Sequence, residues 1–293
     1  MTDLPASRRT TAPAVSAAKG GDTPLVMVTA YDAPSARAVD AAGVDMVLVG
    51  DSVAMVVLGY EDTLQVTTAD LAHHVGAVAR TRPGALVVAD LPWMSYHVGA
   101  DDAVRNAATL VRAGAGAVKL EGGRKRLAAV QAILDAEIPV MGHLGLTPQS
   151  VHAFGGFRVQ GRDLDAARAI VDDAIALAEI GCFAIVLECV PDAVARLVTD
   201  SVAVPTIGIG AGPATDGQVL VLHDMLGLSA RTPPKFVRRY ADLAGDATAA
   251  VARFAADVRA GRFPSSDETY HAADAIADAL RLYGGSPAEH ASA

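Results

Sequence analysis

Several features that define other classes of protein are scarce in this sequence. Its 293 residues include two cysteines, Cys182 and Cys189, which are too few for a disulfide framework and fit a reducing compartment, so we expect a cytoplasmic protein. No uncharged apolar run reaches the roughly 18 residues that a membrane span needs. Lysine and arginine number 24 against 33 acidic residues, a net charge of −9, with no basic block. This balance argues against nucleic acid or an anionic membrane as a partner.

Small apolar side chains, by contrast, are abundant. Hydrophobic residues make up 52% of the chain while aromatic residues make up only 4%, so alanine and valine supply much of the apolar content. A chain of this length buries a core large enough to fold without disulfides or a structural metal. Length alone suggests two domains of about 150 residues, but α/β barrels commonly form one domain of about 250 residues.

Short apolar runs alternate with helical segments along most of the chain. The runs are continuous in valine, isoleucine and leucine, which is typical of parallel strands covered by helices. They span 24–30, 44–52, 85–92, 117–123, 139–146, 183–190 and 204–212, with an eighth candidate at 219–223. Asp101 and Asp163 stand where N-caps of the intervening helices are expected. Eight strand–helix units predict an α/β fold, a single-domain (β/α)8 TIM barrel, with a doubly wound open sheet as the alternative.

The two ends of the chain differ from this repeating middle. Residues 1–22 are rich in alanine, serine, threonine and proline without periodicity, and we expect them to form a loose N-terminal extension. The barrel is predicted to span 23–265, with a terminal helix or two within 235–261. Residues 266–293 are expected to form a polar C-terminal tail.

Four of the apolar runs finish in an acidic residue: Asp51, Asp90, Glu121 and Glu188. Active sites of (β/α)8 barrels are built at the C-terminal ends of the strands, and a carboxylate buried there is costly unless it is paired or binds a metal. One such acid is commonly a helix cap or an ion-pair partner, but four together indicate an active site. Carboxylates without thiolates or paired histidines favour a hard divalent cation, Mg²⁺ first.

Other candidate residues accompany these acids. Lys119 stands two positions before Glu121, so both side chains point to the same face of their strand. His143 ends the fifth run, where it is either a polar group over the site or a hydrogen-bonded core residue. The glycine-rich run 208–212 favours close packing over phosphate binding. We interpret Cys189 as a buried thiol.

Ten sequence blocks in order resemble the ketopantoate hydroxymethyltransferase family, from about residue 23 to about 265. They are TAYD (29–32), LVGDS (48–52), ADLP (89–92), VKLEGG (118–123), GHLGLTPQS (142–150), GGFRVQGR (155–162), LECVP (187–191), IGIGAG (207–212), HD (223–224) and PKF (234–236). Tyr60 and Trp93 depart from the family pattern, in which histidine and phenylalanine are expected. The N-terminal extension has no counterpart in the family core.

The resemblance implies an enzyme that transfers a hydroxymethyl group from 5,10-methylenetetrahydrofolate to 3-methyl-2-oxobutanoate. The product is 2-dehydropantoate, and the reaction is the first step of pantothenate and coenzyme A biosynthesis. The chemistry requires an enolate, which a divalent ion stabilises. The family also implies self-association, as a homodecamer. Its motifs place Mg²⁺ at Asp51, Asp90 and Glu121, the keto acid at Asp51, Ser52, Asp90 and Lys119, and the proton acceptor at Glu188.

Two other functions stay open at this point. A phosphonopyruvate- or isocitrate-lyase-like barrel also holds an enolate with Mg²⁺, but the chain lacks a Lys-Lys-Cys-Gly-His-type catalytic loop. A non-catalytic barrel used for binding or as a scaffold is the second alternative, against which the complete set of acids with Lys119 argues. The loop 154–162, rich in glycine with phenylalanine and arginine, is either a lid that contacts the folate or an ordinarily packed loop.

Overall fold

The computed structural model describes residues 9–229 and 232–283, in two compact units that divide between Ala241 and Asp242. In the first unit, eight parallel strands among the described residues close into a barrel in chain order, with the last strand paired to the first. This confirms the predicted (β/α)8 TIM barrel. The strands are β1 (Leu25–Thr29), β2 (Met46–Val49), β3 (Leu86–Asp90), β4 (Ala117–Glu121), β5 (Val140–Gly145), β6 (Ala184–Glu188), β7 (Thr206–Ile209) and β8 (Gly217–Leu220).

The helices of this unit alternate with the strands. They are α1 (Ala12–Ser16), α2 (Ala33–Ala41), α3 (Val53–Val56), α4 (Thr68–Ala79), α5 (Ala100–Ala113), α6 (Leu127–Asp135), α7 (Val151–Phe154), α8 (Leu164–Ile180), α9 (Asp192–Ser201) and α10 (Leu222–Met225). Asp163 caps α8 as predicted. The N-cap predicted at Asp101 is wrong, because α5 begins after Gly99 and Asp101 lies in its first turn. The eighth strand lies earlier than 219–223, because the chain enters α10 at Leu222.

Side chains alternate along the strands between two buried layers. One set faces the axis of the barrel and includes Met27, Met46, Val88 and Met141. The other set packs against the surrounding helices. Because successive side chains of a strand point to opposite faces, the inward layer sets which strand-end residues face the mouth of the barrel.

Residues 9–22 are part of the barrel rather than a loose extension. Ala12 and Val15 of α1 are buried in the cluster that fills the barrel interior. The expectation of a loose segment is therefore wrong for residues 9–22, while residues 1–8 lie outside the described part. A five-residue helix is too short to show a period in the sequence, so its burial was not evident there.

Two polar contacts show which end of the barrel this segment covers. The amide of Thr10 donates to the carbonyl of Gly84 at 2.8 Å, and Lys19 Nζ lies 2.9 Å from Asp216 Oδ2. Gly84 lies shortly before β3, and Asp216 directly precedes β8. The segment therefore closes the N-terminal end of the barrel, opposite the end where barrel active sites lie.

The second compact unit contains the helices α11 (Leu243–Arg259) and α12 (Asp274–Tyr283). The first compact unit ends at Ala241. The predicted tail 266–293 contains a helix in its described part, and residues 284–293 lie outside the description. None of the helices in the described ranges is long and apolar enough to cross a membrane.

Candidate active site

Polar side chains continue the inward-facing layer at the C-terminal ends of four neighbouring strands. They are Asp90 on β3, Lys119 and Glu121 on β4, His143 on β5 and Glu188 on β6. All are buried except Glu188, whose side chain is 18% exposed. Local strand alternation therefore brings most of the sequence-predicted site residues to one place.

A connected set of short contacts joins these groups. Lys119 Nζ lies 2.8 Å from Asp90 Oδ1 and 3.3 Å from His143 Nδ1. His143 Nδ1 is also 3.5 Å from Glu121 Oε1, and its Nε2 is 3.2 Å from Glu188 Oε2. The imidazole thus links the ion pair on β3 and β4 to the acid on β6, and His143 is both a buried residue and a member of the polar cluster.

Asp51 reaches the same cluster by a different route. Val49, the last residue of β2, belongs to the layer that faces the helices, so alternation alone would also turn residue 51 outward. The chain leaves the strand at Gly50 instead. The amide of Asp51 then donates to Asp90 Oδ2 at 3.0 Å, and Asp51 Oδ2 accepts from Gln149 Nε2 at 2.8 Å.

Ser52 lies beside Asp51 and contacts a buried tyrosine. Its Oγ is 2.8 Å from the hydroxyl of Tyr31, which follows β1. Burial raises the pKa of Tyr31, so its hydroxyl stays protonated at neutral pH. This pair extends the polar cluster to the part of the mouth between β1 and β2.

Two further residues of the site, Tyr96 and Gln149, do not stand out in the sequence. The amide of Gln149 donates to Glu121 Oε2 at 3.0 Å, and the Tyr96 hydroxyl donates to Gln149 Oε1 at 2.6 Å. Both residues lie in loops, after β3 and β5, where no period marks an inward position. Gln149 belongs to the GHLGLTPQS block, which carries the family resemblance but assigns this residue no role.

Buried negative charge is concentrated among these residues. Burial, followed by repulsion from Asp90 and Glu121, raises the pKa of Asp51 well above its ordinary value. Burial lowers the pKa of Lys119, but the nearby carboxylates outweigh this effect and raise it above its usual value. Lys119 is therefore charged at neutral pH and compensates part of the carboxylate charge.

Opposing effects act on the pKa of His143. Burial and the Lys119 ammonium lower its pKa, but the adjacent Glu121 and Glu188 carboxylates outweigh them and raise the pKa to about 9. The ring is therefore held by the carboxylates on either side of it. Its contact with Glu188 restrains the one acid of the cluster that is open to solvent.

The donor chemistry of the cluster fits a hard divalent cation. Asp51, Asp90 and Glu121 offer only oxygen atoms, and their combined charge exceeds that of Lys119, which are the conditions that suit Mg²⁺. Within residues 9–229 and 232–283, however, no three histidine, cysteine or acidic side chains are gathered closely enough to hold a metal as they stand. Binding would require these carboxylates to turn toward a common point.

The glycine-rich loop after β7 is closely packed. A Cβ atom at Gly210, whose φ is +64°, would lie 2.7 Å from the Phe236 ring, and one at Gly212 would lie 2.7 Å from Asp192 Cβ. These contacts support the packing interpretation of 208–212. Cys189 is half-buried rather than buried, and burial raises the pKa of its thiol to about 12.

A parallel (β/α)8 barrel with acids, a lysine and a histidine buried at the C-terminal ends of its strands is the architecture of a TIM-barrel enzyme. Residues 9–266 match the family model described as ketopantoate hydroxymethyltransferase. The chain belongs to the ketopantoate hydroxymethyltransferase family and is a transferase that acts on small molecules. The match begins at residue 9, so the segment that closes the barrel is within the family pattern, contrary to expectation.

Curated relatives agree with this assignment. One from Nitratidesulfovibrio vulgaris (strain DP4), named 3-methyl-2-oxobutanoate hydroxymethyltransferase, is 59% identical over 247 residues, which cover 84% of this chain and 80% of the relative. A relative of the same name from Syntrophomonas wolfei subsp. wolfei (strain DSM 2245B / Goettingen) is 54% identical over 260 residues, covering 88% and 94%.

Solved structures share the fold at low sequence identity. Phosphoenolpyruvate phosphomutase from Streptomyces platensis subsp. rosaceus is 17% identical with a TM-score of 0.56, over 94% of this chain and 95% of that one. 2,3-Dimethylmalate lyase, a member of the PEP mutase/isocitrate lyase superfamily, is 18% identical with a TM-score of 0.55, over 94% and 99%. These similarities show the barrel alone, and the family match excludes the lyase-like and non-catalytic alternatives.

Proposed function

We propose that the mouth of the barrel catalyses Mg²⁺-dependent transfer of a hydroxymethyl group from 5,10-methylenetetrahydrofolate to 3-methyl-2-oxobutanoate. The product is 2-dehydropantoate, and the reaction proceeds through an enolate of the keto acid. The observation that carries this proposal is the joined set Asp90–Lys119–His143–Glu188, which unites a buried cation with a solvent-accessible base. The name shared by the close relatives supports the choice of substrate.

Lys119 and Ser52 are suited to bind the acid group of the substrate. The Lys119 ammonium is buried and charged, so a substrate carboxylate placed near it forms a charge-assisted hydrogen bond away from water. Ser52 can donate a second hydrogen bond while its oxygen accepts from Tyr31. Together they orient the keto acid across the ends of β2 and β4.

Glu188 is the residue that removes the proton. It is the most exposed of the four strand-end acids, so an incoming substrate can reach it, and His143 holds one of its oxygens. The proton on the carbon next to the ketone passes to the Glu188 carboxylate, and the electron pair of that C–H bond forms the enolate. The enolate carbon then bonds to the one-carbon unit of the folate, both carbon–nitrogen bonds of that unit break, and water supplies the hydroxyl oxygen. Tetrahydrofolate leaves with the proton from Glu188 on one of these nitrogens and a proton from water on the other.

Asp51, Asp90 and Glu121 are the residues that would hold Mg²⁺. A bound Mg²⁺ ion supplies positive charge to balance the negative charge that develops on the keto oxygen. Replacing Asp90 by asparagine should weaken Mg²⁺ binding measured by calorimetry, because it removes one anionic ligand. Native affinity in Asp90→Asn would remove this residue from the metal site.

The loop between β5 and α8 is the part of the mouth that we assign to the folate donor. The side chain of Phe157 is 52% exposed and that of Arg158 is also exposed, so ordinary packing does not account for the phenylalanine. The loop reaches the site, because the amide of Gln160 donates to the carbonyl of Cys189 at 2.9 Å. An exposed ring beside a cation suits a pterin ring with an anionic glutamate tail.

Proton exchange tests the base and the substrate together. In D₂O with Mg²⁺, NMR should show loss of the C3 proton of 3-methyl-2-oxobutanoate with the wild type and no loss with Glu188→Gln, because the amide cannot accept the proton. Unchanged exchange in Glu188→Gln would remove Glu188 from the mechanism. The folate assignment has a separate readout, because exchange does not need the donor.

Phe157→Ala is the variant for the folate loop. It should raise the KM for 5,10-methylenetetrahydrofolate and leave proton exchange intact. Leu197→Ala is a matched control, since Leu197 is similarly exposed but lies on α9. Equal KM values in the wild type and Phe157→Ala would contradict the assignment.

Self-association into a homodecamer is a further part of the proposal and rests on the family resemblance. Sedimentation velocity of the full chain tests it, and a monomeric species at micromolar concentration would contradict it. A cytoplasmic location stays a prediction from the low cysteine content.

A further inference from the structure

Gln149 connects the carboxylate of Asp51, which follows β2, to that of Glu121, which ends β4, and these two strands do not pair with each other. It lies in the short 3₁₀ turn Pro148–Ser150 after β5, and it is buried. Its backbone amide donates to Glu121 Oε2 at 3.0 Å, and its side-chain Nε2 donates to Asp51 Oδ2 at 2.8 Å. One neutral residue therefore contacts two of the three proposed metal ligands.

The side-chain amide of Gln149 is held in one orientation. Nε2 also donates to the carbonyl of Leu91 at 3.0 Å, and Oε1 accepts from the Tyr96 hydroxyl at 2.6 Å. Both donor hydrogens and the acceptor are therefore used. Turning the amide over would set Oε1 against the Asp51 carboxylate and the Leu91 carbonyl, and two buried acceptor–acceptor contacts would replace two hydrogen bonds.

Tyr96, which orients the amide, is itself fixed from two sides. Its hydroxyl oxygen accepts from the amide of Glu121 at 3.2 Å. Its buried ring lies under the guanidinium of Arg126, 5.7 Å from the ring centroid. The position of Gln149 is therefore tied to the end of β4, the strand that carries Glu121.

We propose that Gln149 is a positioning residue that orients the carboxylates of Asp51 and Glu121 for binding a shared divalent cation. This inference rests on the Mg²⁺ site of the proposed function. Gln149 holds Oδ2 of Asp51 and Oε2 of Glu121. The oxygens that would turn toward the ion are therefore Oδ1 of Asp51 and Oε1 of Glu121, the second of which lies 3.5 Å from His143 Nδ1. Hydrogen-bonding partners of metal ligands orient them in this way in other metal sites.

The proposal predicts an effect that depends on the ion. Mg²⁺ requires nearly octahedral geometry at about 2.0–2.1 Å, whereas Ca²⁺ accepts variable geometry at about 2.3–2.6 Å. Loss of carboxylate orientation should therefore weaken Mg²⁺ binding more than Ca²⁺ binding. A residue that only supported the fold would change the affinity for both ions alike.

Calorimetric titration of the full-length protein with MgCl₂ and with CaCl₂ tests this. Gln149→Met keeps the length of the side chain, removes the side-chain amide that donates to Asp51 and leaves the backbone donation to Glu121 in place. It should lower Mg²⁺ affinity by about 10- to 100-fold and Ca²⁺ affinity by a smaller factor. Gln131→Met is a matched control, because Gln131 Nε2 also donates to a carboxylate, Asp135 Oδ1 at 2.8 Å, on the exposed side of α6. It should leave both affinities unchanged.

Tyr96→Phe is a second variant that removes only the hydroxyl. It should also lower the Mg²⁺ affinity more than the Ca²⁺ affinity. If circular dichroism shows that Gln149→Met does not fold, the affinities of Tyr96→Phe test the positioning role instead. Equal losses for the two ions, or no loss, would overturn the positioning role while the metal site stands. A wild type that binds neither ion would overturn the metal site of the proposed function, and this inference with it.

Discussion

Replacing Lys19 by methionine tests whether the segment before β1 stabilises the barrel. Lys19 Nζ lies 2.9 Å from Asp216 Oδ2 and donates to the carbonyl of Thr199 at 2.6 Å. Methionine keeps the apolar stem of the side chain and removes the ammonium. Asp216 keeps hydrogen bonds from the amides of Gly20 at 3.0 Å and Thr206 at 2.8 Å, so its carboxylate is not left without donors.

The burial of this ion pair sets the size of the expected loss. The two side chains are 22% and 8% exposed, which places the pair between the surface and the interior. Exposed pairs contribute about 0–1 kcal/mol, and removing one partner of a fully buried pair costs about 3–5 kcal/mol. Because Asp216 retains other donors, we expect Lys19→Met to lower the free energy of unfolding by about 1.5–3 kcal/mol, the contribution typical of hydrogen bonds to charged groups.

The same pair predicts a pH dependence. Burial raises the pKa of Asp216, but hydrogen bonds from Thr206 and Lys19 outweigh it, so the pKa in the folded protein is below its ordinary value. Such a carboxyl group adds stability above its unfolded pKa of about 3.9, and this stability is lost as pH falls through the folded pKa. The difference between Lys19→Met and the wild type should therefore be constant from pH 7 to about pH 5 and shrink below about pH 4.

Urea unfolding followed by far-UV circular dichroism and by the fluorescence of Trp93, the single tryptophan, measures this difference. Lys125→Met is the control, since Lys125 is exposed in the turn after β4, and it should change stability by less than about 0.5 kcal/mol. A loss below about 0.5 kcal/mol for Lys19→Met would match an exposed pair and refute the structural role of the segment. A difference that did not change with pH would refute the ion pair as its cause.

Three further substitutions probe the site and its support. Lys119→Met leaves buried carboxylates without their cation and should lower the free energy of unfolding by about 3–5 kcal/mol. It should also weaken the binding of 3-methyl-2-oxobutanoate measured by calorimetry, and unchanged binding would contradict the role of Lys119 in holding the substrate carboxylate. Gly145→Ala adds a Cβ at φ +91° that collides with the Glu188 carbonyl, so proton exchange should fall steeply. Gly155→Ala, which shares the strain of a positive φ (+66°) but has open space around the added Cβ, should retain exchange. Thr67→Ala removes the N-cap of α4 and should lower the urea midpoint by an amount equivalent to about 1 kcal/mol. Proton exchange of the keto acid should not change, and a lower exchange rate would contradict a purely structural role for this cap.

The strand-end acids were predictable because their position is a local property. A continuous apolar run that stops at an acid marks the end of a buried strand, and alternation then gives the face of Lys119 and Glu121 without knowledge of the fold. The same rule fails for Asp51, because β2 ends at Val49 and the turn at Gly50 reverses the direction that alternation assigns. It also fails for α1, where five residues are too few to show a helical period.

By itself, then, the sequence determined the barrel, the strands that form it and the acids at their C-terminal ends, because hydrophobic patterning depends on near neighbours along the chain. Only the tertiary structure decided which loop residues join those acids. Tyr96 and Gln149 are 53 positions apart, and Asp51 and Gln149 are 98 positions apart. Their hydrogen bonds exist because closure of the barrel brings the loops after β2, β3 and β5 to the same end of the molecule, and no local pattern records that closure.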